Sequence, residues 1–241
     1  EDYRAESFGT KENTFVHEIE LADINGDGLL EIYATPSERN SSTRSQPGNI
    51  VQYVWNGSTF VMTIVDQIRE THAKEILAVD INKDGLSEVF GVIEAEKKDG
   101  TILTSVEIRQ YQYHAEKGFS FTTLGTIPDD QTRFLLSGDF NHDGTMDLVA
   151  ASHHKGIFIF TQSEAGSWSS SLIDSESGGF EHACFGADLD GDGKKELYVA
   201  SDKHGRLSRY QYDPTSKSFQ KDVIGSYSAD MLFTWNVVVG N

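Results

Sequence analysis

The stretch Asp188-Leu189-Asp190-Gly191-Asp192-Gly193-Lys194-Lys195-Glu196 decides how this chain is read. Short oxygen side chains stand at its first, third and fifth positions, a glycine at the sixth and an acid at the ninth. The same frame recurs without gaps from Asp23 to Glu31, from Asp80 to Glu88 and from Asp139 to Asp147. The four copies begin about 49–59 residues apart. Self-similarity at a near-constant period of this size marks an architecture of repeated supersecondary units.

The flanks of each copy read as strands. A short apolar run enters the acidic stretch (15–22, 75–79, 134–138 and 184–187), and a second leaves it (31–35, 88–92, 147–151 and 196–200). A third run, rich in aromatic and β-branched residues, follows at 50–55, 106–113, 157–161 and 207–212. After a turn, a fourth opens on Phe60, Phe119, Trp168 or Phe219. The turns hold Asn56-Gly57, Lys117-Gly118, Ala165-Gly166 and Asp213-Pro214, residues suited to tight reversal. No helical period of useful length interrupts the pattern. The prediction is an all-β fold, a β-propeller of four-stranded antiparallel blades at about 14–69, 71–127, 131–176 and 180–225. Residues 1–10 resemble a fourth strand and 231–241 a first. The chain ends are therefore expected to form a partial fifth blade of a single domain, 1–241. That reading points to an excerpt of a longer protein or to a five-bladed ring cut short.

Composition narrows the partners. The 241 residues carry 38 acids against 20 Lys and Arg, a formal charge of −18. Such an excess opposes binding to nucleic acid and electrostatic docking on an anionic membrane. No apolar run approaches the roughly 20 residues of a spanning helix, so no membrane insertion is expected. The single cysteine excludes an intramolecular disulfide framework and a Cys-rich zinc site.

The acidic stretches point to calcium. Positions one, three, five and nine, with a backbone carbonyl at seven, offer the hard oxygen set that Ca²⁺ prefers. Nitrogen and sulfur side chains are absent from those ligand positions, which disfavours zinc and copper. An EF-hand is rejected because its twelfth position, a glutamate, is Ala34, Gly91, Ala150 and Val199 here, and because the flanks are strands. Simple Asx-rich turns are the bland alternative, but the full nine-residue pattern repeats four times.

These loops and their strand context resemble the FG-GAP/VCBS repeat family, found in integrin α-subunit propellers and in many secreted microbial proteins. The resemblance covers essentially the whole chain, although the Phe-Gly and Gly-Ala-Pro words that name the family are poorly preserved. It implies up to four Ca²⁺. Carried over, the ligands fall on Asp23, Asn25, Asp27, Leu29 and Glu31, then on Asp80, Asn82, Asp84, Leu86 and Glu88. The later copies give Asp139, Asn141, Asp143, Thr145 and Asp147, then Asp188, Asp190, Asp192, Lys194 and Glu196. Sites filled by millimolar calcium imply a secreted, periplasmic or cell-surface protein. The family itself carries no single activity.

A second candidate site lies at the other end of the first strands. Six residues before each first ligand stand His17, Lys74, Arg133 and His182, and the matching position before Asn241 is Trp235. If the first strands line a channel, these residues ring one mouth of it as a basic funnel for a carbohydrate or protein ligand. The competing reading is that they cap strands at a rim. A paired-His metal site at His153 and His154 is disfavoured, because neighbouring strand residues point to opposite faces. Cys184 reads as buried and inert. No nucleophile elbow, phosphate loop or HExxH zinc motif is present, so no catalytic residue is assigned. The sequence favours a non-enzymatic, calcium-stabilised binding or adhesion module. A polysaccharide lyase-like enzyme and a structural scaffold within a larger protein stand as alternatives.

Overall fold

The computed structural model describes residues 12–39, 41, 43–163, 165–180 and 182–228, together with 7, 237 and 238. The first sheet is β1 (Thr14–Ala22), β2 (Glu31–Glu38), β3 (Gly48–Trp55) and β4 (Phe60–Ile68), hydrogen-bonded in that order. The second is β5 (Ala73–Val79) and β6 (Glu88–Ile93), then, beyond a small hairpin of β7 (Lys97–Lys98) and β8 (Thr101–Ile102), β9 (Val106–His114) and β10 (Gly118–Ile127). The third holds β11 (Thr132–Gly138), β12 (Asp147–Ser152), β13 (Ile157–Gln162) and β14 (Trp168–Asp174). The fourth holds β15 (Cys184–Ala187), β16 (Glu196–Ser201), β17 (Arg206–Asp213) and β18 (Ser218–Ser226). Every pairing is antiparallel, and no helix occurs among the described residues. The expected chain-end blade and Trp235 lie outside the described residues.

The core is a set of layers between sheets. Tyr33 and Ile50 of the first sheet pack against Ile76 and Val89 of the second. Phe90, Ile108 and Leu124 of the second meet Leu148 and Phe160 of the third, and Val149 and Ile159 of the third meet Leu197 and Tyr210 of the fourth. Full burial of each large apolar side chain contributes roughly 1.5–3 kcal/mol. The second strands β12 and β16 are buried along their whole length, whereas β18 is largely exposed. First strands meet one another as well, β1 with β5, β5 with β11 and β11 with β15. The acidic loops, each joining a first strand to a second, therefore gather at one end of these inner strands.

At the opposite end the first strands are irregular. Pairing shifts register between Val16 and Ile19, between Ala73 and Glu75, and between Thr132 and Phe134. His17, Lys74 and Arg133 occupy these bulges, which turn side chains out of the regular alternation and are common where a sheet must aim a residue.

Candidate functional site

The four acidic loops share one hydrogen-bond pattern. The first-position Asp Oδ2 accepts the N–H of the sixth-position glycine: Gly28 at 2.9 Å, Gly85 at 2.9 Å, Gly144 at 3.0 Å and Gly193 at 2.8 Å. The fifth-position Asp Oδ1 accepts the N–H of the seventh residue, Leu29, Leu86, Thr145 or Lys194, at 2.8–2.9 Å. Those glycines have φ of 84–95°, a region costly to any residue with a Cβ. The fourth position is left-handed too, with Gly26 and Gly191 in two loops but Lys83 and His142 in the others.

The ninth-position acid closes each loop. It accepts the N–H of the second residue in every copy: Ile24 to Glu31, Ile81 to Glu88, Phe140 to Asp147 and Leu189 to Glu196. In three loops the third-position amide also donates to it, Asn25 at 2.8 Å, Asn82 at 2.7 Å and Asn141 at 3.4 Å. Loop four has Asp190 instead of an amide, and its ligand oxygens from Asp188, Asp190, Asp192 and Glu196 lie within 4.8 Å of one another. Asp23, Asp27 and Glu31 converge likewise. Burial, followed by the Asp residues at positions five and one, raises the carboxyls of Glu31 and Glu88, and burial raises Asp147 to about 7. Crowded, half-desolvated carboxylates of this kind fit a hard divalent cation, which would replace their mutual repulsion with attraction.

Sequence reasoning missed one set of partners. Tyr198 donates to Glu196 Oε2 at 2.8 Å, and Tyr33 stands 3.5 Å from Glu31 Oε2 while accepting from Gln52 at 2.9 Å. A tyrosine two residues beyond the acid shares its face of the strand, so the alternation itself held the signal. Arg209 and Gln211 approach Asp190 Oδ2 at 3.9 and 3.2 Å from the third strand of that sheet.

At the other end, the structure brings His17, Lys74 and Arg133 into one cluster and sets His182 apart. Lys74 Nζ lies 3.3 Å from His17 Nδ1, and Ser37 Oγ lies 2.9 Å from His17 Nε2. An ammonium only donates, so Nδ1 accepts and the His17 proton sits on Nε2, facing Ser37. His17 stacks on His72 at 4.8 Å between ring centroids. Burial, then Lys74, lowers His17 to about 3, and burial and Lys74 lower His72 to about 4. The Arg133 guanidinium lies 4.0 Å over the Phe180 ring. His182 is fully buried; its Nδ1 donates to Ser152 O at 2.9 Å and its Nε2 meets Ser177 Oγ at 2.6 Å. One nitrogen thus ties it to the end of β12 and the other to the connection that precedes β15.

This end of the first strands is not purely basic. Glu94 is buried beside this cluster, and burial raises it to about 8 despite Arg133 and Lys74. Burial also raises Glu75 well above the usual range. A cavity of about 350 Å³ opens here, lined by Gln46, His72, Glu94, Asp130, Arg133 and Phe180 among others. Among the described residues, His72 Nδ1, Glu94 Oε1 and Arg133 Nε are buried without a hydrogen-bond partner. Buried polar groups are normally satisfied, so such a concentration marks a place built to receive something polar. A larger cleft of about 570 Å³ between Asn13, Arg39 and Arg69 holds no comparable set.

The reading of His153 and His154 requires correction. Strand β12 ends at Ser152, so the two histidines stand in a turn where strand alternation no longer applies. Their ring centroids are 3.7 Å apart, on one side of the chain. Cys184 is buried as expected, and burial raises its thiol.

A family model described as an FG-GAP-like repeat matches residues 139–199. That segment is similar to an FG-GAP-like repeat. The matched segment begins at Asp139 and includes the third and fourth acidic loops with the strands between them. No curated protein sequence gives a significant match. Among solved structures, the chain is similar to rhamnogalacturonan lyase YesW, with 14% identity and a TM-score of 0.53 over 90% of this chain and 51% of that one. It also matches a protein from Lactobacillus plantarum at 14% identity and a TM-score of 0.47, over 84% and 55% of the two chains. The first likeness is one of fold. The chain spans about half the length of each of these structures.

Proposed function

We propose that this chain is a calcium-stabilised β-propeller module that binds an acidic or hydroxyl-rich carbohydrate at the channel mouth opposite its acidic loops. The observation that carries the reading is the cavity at that mouth, where Arg133, Glu94 and His72 surround unsatisfied buried polar atoms and Lys74 stands close enough to act on Glu94 and His72. Cations receive a sugar carboxylate, a protonated Glu94 donates to a hydroxyl, and Phe180 offers a face for a ring. The fold likeness to an enzyme acting on rhamnogalacturonan supports this ligand class. The four loops hold Ca²⁺ through the ligand sets named above and fix the turns between first and second strands. The ion supplies charge neutralisation there rather than chemistry. Loops of this kind that fill at millimolar calcium suit a secreted, periplasmic or surface setting.

Titration of calcium-saturated protein with uronate-containing oligosaccharides tests the ligand assignment. Lys74→Ala should weaken binding at least about tenfold, the loss of one charge-assisted contact, without changing the melting temperature. Absence of binding by the unaltered protein across such oligosaccharides would refute it. A lyase is the second reading, favoured by the fold likeness to a rhamnogalacturonan lyase; His17 Nδ1 becomes free to act as the base once Lys74 turns from it to a sugar carboxylate. A base next to a cation is what proton abstraction beside a sugar carboxylate requires. Release of unsaturated uronate, lost in His17→Ala, would establish turnover; binding without any such release would leave a lectin-like module.

A further inference from the structure

We propose that Asp130, His153 and His154 form a binding site for one borderline divalent transition ion, with Zn²⁺ the best fit, separate from the calcium loops. His153 Nδ1 and His154 Nδ1 face the same oxygen, Asp130 Oδ1, at 3.4 and 3.5 Å. These three ligand atoms lie within 4.8 Å of one another. His153 Nδ1 and Asp130 Oδ1 are both buried, and their 3.4 Å approach is an ion-pair contact without the alignment of a good hydrogen bond. Four ligands at the 2.0–2.1 Å typical of zinc stand about 3.3 Å apart along the edges of a tetrahedron. The observed separations match that edge and exceed the usual 2.7–3.2 Å of an N–H···O bond.

The support around the three ligands is rigid. Asp129 Oδ2 accepts the N–H groups of His154 and Lys155 at 2.6 and 2.8 Å, which fixes the turn that carries both rings. The His153 N–H donates to Gln131 O at 2.9 Å, and its own carbonyl accepts from Gly179 at 3.0 Å. Phe180 meets the His153 ring edge-on at 5.8 Å. Lys97 holds Asp130 Oδ2 at 2.8 Å and leaves Oδ1 directed at the histidines. Outer partners of this kind orient metal ligands and tune affinity.

Charge separates the metal from the alternative of two imidazolium–carboxylate pairs. Two protonated rings at 3.7 Å between centroids repel one another, whereas one dication between two neutral rings attracts both. The donor set of two nitrogens and one carboxylate suits zinc rather than the oxygen-seeking Ca²⁺ or Mg²⁺. The His154 side chain is 54% exposed, which leaves the fourth position open to water.

The site shares Asp130 and His153 with the wall of the cavity proposed for carbohydrate, but its test uses metal alone, so each reading can fail without the other. Zn²⁺ is titrated calorimetrically into the whole protein in excess Ca²⁺, which occupies the oxygen loops. One equivalent should bind to the unaltered protein and to His114→Ala, which removes an exposed histidine elsewhere. His154→Ala and Asp130→Asn should each weaken it at least tenfold, with the zinc-free melting temperature of His154→Ala unchanged. Co²⁺ at the same stoichiometry should give the intense visible bands of a tetrahedral site. No zinc binding in excess Ca²⁺, or binding unaltered in both variants, would overturn the proposal.

Discussion

His182 shows what a potentially basic residue does once it is sealed in. Its two nitrogens are bonded to Ser152 O and Ser177 Oγ, and burial lowers it to about 4. A histidine whose folded pKa is depressed contributes stability that is present above its unfolded value near 6.5 and lost as pH falls through the folded value. Denaturant unfolding across pH 4–7 should therefore show stability falling on acidification, and His182→Gln should flatten that slope. The same variant should lose about 1–3 kcal/mol at pH 7, because a buried partner is left unpaired. Glu94 has the opposite sign. Its folded pKa of about 8 lies above the ordinary value of 4.5, so its contribution is present below 4.5 and lost as pH rises through 8. Glu94→Gln should remove that alkaline-side decline in a melting-temperature profile. The sequence placed His182 in register with His17, Lys74 and Arg133. It could not separate them, because the burial of His182 depends on partners outside its own strand, Ser152 at the end of β12 and Ser177.

At the scale of the strand, spacing between inner strands is set by what lies across it. Phe140 follows the first-position Asp139 and is fully buried between the third and fourth sheets. A Cβ on Gly186 would stand 2.7 Å from its ring, and one on Gly138 would stand 2.9 Å away. Gly186→Ala should cost about 1–3 kcal/mol by overpacking. Gly225→Ala, where the nearest neighbour is Leu207 Cβ at 3.5 Å, should change stability by less than about 0.5 kcal/mol. Urea unfolding of the two variants measures the contrast. The strands themselves were legible because alternation and turn residues act locally, and all four first strands overlap their predicted positions. The β7–β8 hairpin was not read, although Asp99-Gly100 is a strong two-residue turn signal and both residues have positive φ. Its strands are only two residues long, too short for a hydrophobic period. The bulges at His17, Lys74 and Arg133 were equally silent, since an unpaired residue leaves no mark in composition.

Across the whole molecule, charge and calcium are one question. Thirteen of the 38 acids stand at ligand positions of the four loops, and four Ca²⁺ would carry the formal charge from −18 to about −10. An ion that binds only the folded chain stabilises it by about 2.7 kcal/mol per site at a hundredfold excess over Kd. Chelation with EGTA should lower the melting temperature by many degrees, and excess Ca²⁺ should restore it; an unchanged melt would refute the calcium assignment. Asp190→Asn should weaken calcium binding at loop four, whose four carboxylates converge without a side-chain amide among them.

The sequence by itself determined the repeat, the strand order within each sheet and the oxygen-rich loops. These follow from local rules of alternation, turn chemistry and ligand hardness acting over fewer than about 60 residues. Only the tertiary structure decided which charges meet. Glu94, Asp130, His72 and His153 come from separate connections, and packing of successive sheets brings them beside Lys74 and Arg133. Their desolvation and their unpaired atoms arise from that packing, because burial is a property of the assembled layers and not of any one strand.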